Sequence, residues 1–296
     1  MTITKDTPRL IRHYTSGLKK ILDARTQIPE IPIRLQDVNK IAWGIHKQKL
    51  TIVGARTGNC KSAFALNLGF DAALSGHKTI FISLEMSPSD IIERLFIYNQ
   101  LINNKDLLTG KFPRYQNQWN IFLERIASVN FMISDLIGRT TLEVTELLDG
   151  LAQKPDIVII DHLQEIRSSE RDKKKTIDEY LDFMRALAIQ YNFALIICSQ
   201  VNRLSQEEKD KAPQLHHLKQ SGAIEEKADM VYLLHWPYKY GHKDINHFEV
   251  NLAKNRNGMT GHIKLRYFPE VYMFFDKDGD GPYHGKPQIE DPNAAN

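Results

Sequence analysis

Six short runs of Ile, Val, Leu and Phe punctuate the chain, and each is apolar almost throughout instead of alternating with polar residues. They are KLTIVGA (49–55), KTIFISLEM (78–86), NFMISD (130–135), DIVIIDHL (156–163), FALIICSQ (193–200) and DMVYLLHW (229–236). A strand with one wet face alternates; a strand apolar on both faces has to be covered on both. Most segments between the runs carry the amphipathic periodicity of helices. Together these patterns predict an α/β fold with a mainly parallel central sheet flanked by helices. After residue 247 the pattern changes, and HFEVNLAKNRNGMTGHIKLRYFPEVYMFFD reads as strands joined by hairpins, with Asn257-Gly258 as a turn. Near the start, Leu10, Ile11, Tyr14, Leu18, Ile21 and Leu22 have helical spacing within 8–25, and two prolines in TQIPEIPIRL end that helix. The predicted organisation is an N-terminal helix and extended arm over 1–34, one domain over 35–276 and a Gly/Pro/Asp-rich tail over 277–296.

The 296 residues are 42% hydrophobic and 25% charged, which excludes collagenous, low-complexity and disordered classes. No apolar run approaches the roughly 18 residues of a membrane span, and MTITKDTPRL lacks the apolar core of a signal peptide. Cys60 and Cys198 are too few for a disulfide framework or a zinc site, so a reducing, cytoplasmic compartment is expected. The net charge of +3 is informative only in its location. RSSERDKKK (167–175) alone carries five bases and two acids, and reads equally as a solvated loop or a nucleic-acid contact.

The first apolar run passes through ARTGNCKS into a helical segment, AFALNLGFDAAL. Strand, loop, Lys-Ser and helix is the order of a phosphate-binding loop, in which backbone N–H groups and a helix N-terminus hold phosphates. On that template Ala55, Arg56, Thr57, Gly58, Asn59 and Cys60 form the cradle. Lys61 bridges phosphate oxygens and Ser62 offers a hydroxyl to Mg²⁺. The template has glycine where this chain has Ala55 and Cys60. At the second position glycine permits a left-handed backbone or close approach to phosphate, and a side chain held there costs roughly 1–2 kcal/mol. Two other readings stay open: a coincidental Lys-Ser at a helix start, and a reactive thiol, since a cysteine beside lysine at a helix N-terminus has a lowered pKa.

Three later runs end in polar residues: Glu85, Asp161 and Gln200. In an open parallel sheet, ligands sit at the carboxyl ends of the strands. Asp161 has the placement of an acid that holds Mg²⁺, Glu85 that of a group polarising an attacking water, and Gln200 that of a γ-phosphate sensor. Singly, each reads as well as a solvated strand end; the three together with the loop do not. Ser87-Pro88-Ser89-Asp90 predicts a capped helix start just beyond Glu85.

In this order, VGARTGNCKSAFALNLG, FISLEMS, IVIIDHLQ, ICSQVNR, LKQSGAIEEKAD and AKNRNGMTG resemble the C-terminal motor domain of the DnaB family of replicative DNA helicases, from about Leu35 to Asp276. The resemblance implies a RecA-like P-loop NTPase. It implies ATP and Mg²⁺ bound between subunits of a homo-oligomeric, usually hexameric, ring that moves along single-stranded DNA and parts the duplex. Carried over, Lys61 and Ser62 are the phosphate and magnesium residues, Glu85 the catalytic glutamate, Asp161 the second acidic, metal-holding motif and Gln200 the γ-phosphate relay. Lys254 and Arg256 would be finger residues acting in trans, with the Asn257-Gly258 hairpin tip expected to project Arg256 outward. DNA contact would come from Lys219, Gln220, Ser221 and Gly222, and from Arg171, Lys173 and Lys174. A primase or replisome partner is also implied. The family's helical collar has no counterpart in this length, and 8–25 resembles the linker helix that docks on an adjacent motor domain. Cys60 leads to an expectation of weakened ATP turnover. The alternative function is an ATP-binding scaffold, loader or regulator that binds DNA or a partner helicase without unwinding. A RecA-like recombinase is disfavoured by LKQSGAIEEKAD and KNRNG.

Overall fold

The apolar runs become strands buried from end to end. In the computed structural model, which describes residues 31–136, 140–165, 173–202, 212–218, 221–279 and 281–282, β1 (Leu50–Ala55), β2 (Thr79–Ser83), β4 (Ile157–Asp161) and β6 (Met230–His235) are buried at every position. β5 (Ala194–Gln200) is buried up to its last residue, while β3 (Phe131–Asp135) is a half-exposed edge. These six pair in parallel in the order β3-β2-β4-β5-β1-β6. The sheet then continues antiparallel through β7 (His247–Asn255), β8 (Gly261–Phe268) and β9 (Met273–Asp276). The α/β expectation and the switch to hairpins after residue 247 both hold.

Side chains alternate along each buried strand, so every strand feeds two cores. Ile157 and Ile159 of β4 join the core on one face; Val158 and Ile160 join the core on the other. The first core lies beneath α2 (Lys61–Leu74), α3 (Pro88–Gln100) and α5 (Gln116–Ile126). The second lies beneath α6 (Thr141–Gly150), α7 (Lys173–Tyr191) and α8 (Ser221–Lys227). Two shorter helices, α1 (Gln36–Ala42) and α4 (Asn104–Leu108), sit at the margins of the first. Gly69 lets α2 approach the sheet closely, because a Cβ there would stand 2.4 Å from Ile159 Cδ1.

Aromatic rings lock α2 to the antiparallel extension. Phe274 packs edge-on against Phe64 of α2 at 5.3 Å and Phe248 at 4.9 Å, and stacks on Tyr267 at 4.5 Å. Asn67 of α2 donates to the Tyr272 carbonyl and accepts from the Phe274 N–H. At the other end of β9, the Asp276 carboxylate accepts from the Gln36 and Asp37 N–H groups and so caps α1. Residues 31–34, grouped by sequence with the arm, pack onto the domain: Ile31 bridges to Ile45, and Ile31 and Ile33 are buried. The helix expected over 8–25 lies outside the described residues, as does most of the tail. Phe274→Ala is expected to lower unfolding free energy by about 3–5 kcal/mol in urea titration; a loss below about 1 kcal/mol would show that β9 does not anchor α2.

Candidate nucleotide-binding site

The parallel register sets Ala55 opposite Gln200, Ser83 opposite Asp161 and Ile160 opposite Ile197, so the carboxyl ends of β1, β5, β2 and β4 lie along one side of the sheet, with β2 and β4 ending short of β1 and β5. There the loop of residues 55–60 turns into α2 and bounds a cavity of about 510 Å³. Every loop residue except Asn59 lines it, with Lys61, Ser62, Glu85 and Gln200. No side chain caps α2, whose N-cap is Cys60, which leaves first-turn N–H groups and the positive end of the helix dipole facing an anion.

Asp161 is fully buried, and neither of its carboxylate oxygens accepts from an N–H or O–H among the described residues, with only the weakly donating Cys198 thiol beside it. Lys61 Nζ stands 3.5 Å from Oδ1. A buried carboxylate short of donors and facing a lysine fits a hydrated cation. Glu85 follows β2 in a turn that Ser83 holds, its hydroxyl donating to the Met86 carbonyl at 2.6 Å and accepting from the Met86 N–H at 2.8 Å. The expected cap follows directly: Ser87 and Asp90 exchange bonds at the start of α3. Glu85 remains largely exposed, open to water. Gln200 donates to the Thr57 hydroxyl at 2.6 Å, and its own N–H is held by Gln164, whose amide donates in turn to Ser199.

His162, adjoining Asp161, was not singled out from the sequence. Its Nδ1 lies 3.4 Å from Glu85 and its Nε2 3.8 Å from Glu165. Burial holds the imidazole below its ordinary pKa, with Lys61 adding to this and the carboxylates of Asp161, Glu85 and Glu165 opposing it. Gln164 was also missed. Both stand in IVIIDHLQ, directly after the acid, and that adjacency was the available signal. The far wall comprises Arg94, Trp236, Tyr267 and Tyr272, with the Arg94 guanidinium over the Tyr272 ring at 5.4 Å.

Cys60 takes the left-handed backbone that glycine would supply, at φ 60° and ψ 23°. The packing of Cys60 argues against the reactive-thiol reading. The side chain packs against the main core, and burial pushes the thiol up to about 12 despite a hydrogen bond with the Tyr267 hydroxyl.

A profile of the DnaB-like helicase C-terminal domain matches residues 30–276. The chain belongs to this family. Replicative DNA helicase DnaB of Geobacillus stearothermophilus is 28% identical over 257 residues, 84% of this chain and 57% of that helicase. DnaB of Leifsonia xyli is 30% identical over 256 residues, 83% and 56%. The chain thus spans a little over half the length of these relatives. Among solved structures, a DnaB-like replicative helicase, described with its interactions with primase, superposes with a TM-score of 0.81 at 22% identity, covering 90% of this chain and 68% of that one. A second, described as an ATPase domain, gives 0.80 at 23%, covering 92% and 99%. The fold is the RecA-like one of DnaB-type ATPase domains.

Among the described residues, the remaining DnaB-type positions do not line the cavity. Arg256 does not project from its hairpin as expected. Its guanidinium donates to the Glu226 carbonyl at 2.5 Å and lies 3.7 Å from Asp229, while Lys254 donates to the Glu225 carbonyl. Both cations are drawn to the carbonyl end of α8 by the helix dipole. Burial, then Arg256, holds the Lys254 pKa below its ordinary value. Arg171, Lys219 and Gln220 lie outside the described residues. Lys173 and Lys174 open α7 instead of sitting in a loop, Ser221 opens α8, and Gly222 is exposed. Among the described residues no helix is long and apolar enough to cross a membrane.

At pH 8 native Cys60 is expected to resist iodoacetamide and to react once urea unfolds the chain, read by mass spectrometry; rapid native labelling would reinstate the reactive thiol.

Proposed function

We propose that the chain is the ATP-hydrolysing motor of a cytoplasmic, ring-forming replicative helicase that moves along single-stranded DNA and parts the duplex. The observation that carries this reading is the convergence of Lys61, Ser62, Glu85 and Gln200 on one cavity bounded by a phosphate loop, with the buried Asp161 carboxylate 3.5 Å from Lys61. Family membership adds to it.

In this reading the loop amides and Lys61 hold the phosphates, and Ser62 and Asp161 hold Mg²⁺. An ion held there would offset charge on the phosphoryl oxygens. Glu85 accepts a proton from the attacking water, and the His162 imidazole stands 3.4 Å from its carboxylate. Gln200 reaches the γ-phosphate by releasing Thr57, and its movement passes into the segment after β5. The nucleoside lies against Arg94 and Tyr272. Arg256 and Lys254 leave the α8 carbonyls to meet the nucleotide of a neighbouring subunit, where a cation stabilises the transferring charge. Six copies close the ring, DNA lies along the segments that precede α7 and α8, and a primase is the expected replisome partner.

Glu85→Gln is expected to slow ATP hydrolysis about 100-fold or more while nucleotide still binds. Cys60→Gly is expected to raise DNA-stimulated hydrolysis, measured by phosphate release; equal rates would remove the claim that Cys60 slows turnover. A second reading, a scaffold or loader that binds DNA without unwinding, is favoured by the left-handed Cys60 alone. Native mass measurement with ATP and single-stranded DNA is expected to show six copies, and a forked duplex is expected to be unwound. A ring without unwinding would favour the scaffold; a monomer would reject the ring.

A further inference from the structure

Asn59 is the loop residue that does not face the cavity, and it is the best-anchored one. Its side chain is buried, with 2% of the residue exposed. Nδ2 donates to the Tyr240 hydroxyl at 3.0 Å, and Oδ1 accepts from the Trp236 N–H at 3.0 Å. Both partners belong to the turn that follows β6, where Pro237–Tyr240 forms a single 3₁₀ turn. The Tyr240 ring also bears the loop's Arg56, whose guanidinium lies 5.1 Å from the ring centroid, and it stacks on His235 at 5.3 Å. The 236–240 turn therefore grips the phosphate loop at two points, residues 56 and 59.

This grip adjoins the strained position. Cys60 is left-handed, and a side chain there disfavours that conformation. Such a residue persists only where its surroundings over-determine it. Cys60 is not held by a cap: its side chain makes no capping bond to α2. The residue before it is fixed at both ends of its amide. With the Asn59 amide bonded at both ends and the first helical bond formed from the Phe64 N–H to the Cys60 carbonyl at 2.9 Å, the backbone is tied on either side of the left-handed residue.

We propose that Asn59 is a positioning residue which, through Trp236 and Tyr240, holds the phosphate loop in its anion-binding shape and so offsets the absence of glycine at position 60. The turn after β6 is then part of the nucleotide-binding machinery although it touches no phosphate. The proposal rests on reading the cavity as a nucleotide site. It carries a specific consequence: the demand for Asn59 should vanish when glycine occupies position 60.

The test is calorimetric titration of the full chain with Mg²⁺ADP in four forms: unchanged, Asn59→Ala, Cys60→Gly, and the two combined. Asn59→Ala is expected to weaken binding roughly tenfold, the scale of losing two neutral hydrogen bonds. The same substitution made on top of Cys60→Gly is expected to change affinity less than about threefold. Should Asn59→Ala fail to fold, judged by thermal melting, Tyr240→Phe removes one hydroxyl and keeps the ring beneath Arg56. It is expected to weaken binding about threefold with Cys60 and not at all in the Cys60→Gly chain. Equal losses in both backgrounds, or no loss with Cys60, would overturn the proposal and leave the nucleotide site standing. Absence of ADP binding by the unchanged chain and by Cys60→Gly would overturn both.

Discussion

Ala55 opposite Gln200, and Ser83 opposite Asp161, are neighbours in an uninterrupted parallel ladder. Everything at the site depends on that register. Parallel strands all end on the same side, so a residue placed one or two positions past the last apolar side chain of each arrives at a common edge. The register is enforced because slipping a strand by one residue would exchange its two buried faces. Ile157 and Ile159 would then meet α7 where Val158 and Ile160 now lie. The same burial that stabilises the fold thus sets the separation between Lys61 and Asp161.

The phosphate loop shows how a local rule can be broken when its neighbours compensate. Glycine is preferred where φ is positive because it has no Cβ, and Gly58 at φ +77° follows that rule. Cys60 does not. Its side chain turns into the core beside Tyr267 and the backbone keeps the helix start in place. A conformational cost of roughly 1–2 kcal/mol is small beside the burial around α2, where Phe64 and Phe70 are fully enclosed. The loop is shaped by tertiary contacts from the turn after β6, the strand beside β1, as much as by its own residues.

Charge is placed with similar economy. Asp229, almost fully buried, accepts from the Leu50 N–H and pairs with Arg185 of α7 and Arg256 of β7's hairpin. Its burial is tolerable because both oxygens are satisfied. Arg256 and Lys254 rest on α8, the helix that begins at Ser221. The two helices that follow the expected DNA-contacting segments are therefore joined to the same hairpin.

The strands, the helix between β1 and β2, the cap at Ser87 and the positions of Lys61, Glu85, Asp161 and Gln200 were legible in the chain because each rests on local patterning: apolar runs, a capping box, polar residues at run ends. His162 and Gln164 were within reach, being adjacent to Asp161. What was not legible is whatever joins distant segments. Nothing in ARTGNCKS indicates that Asn59 meets Tyr240, 181 positions away, or that Cys60, half-buried, packs against the core. Nothing in KNRNG indicates that Arg256 folds back onto the carbonyls of α8. The sequence alone determined the strand and helix layers, through periodicity, and the chemistry at the strand ends, through residue type. Only the tertiary structure decided which way each of those side chains points, because orientation is set by partners that burial, not chain proximity, brings together.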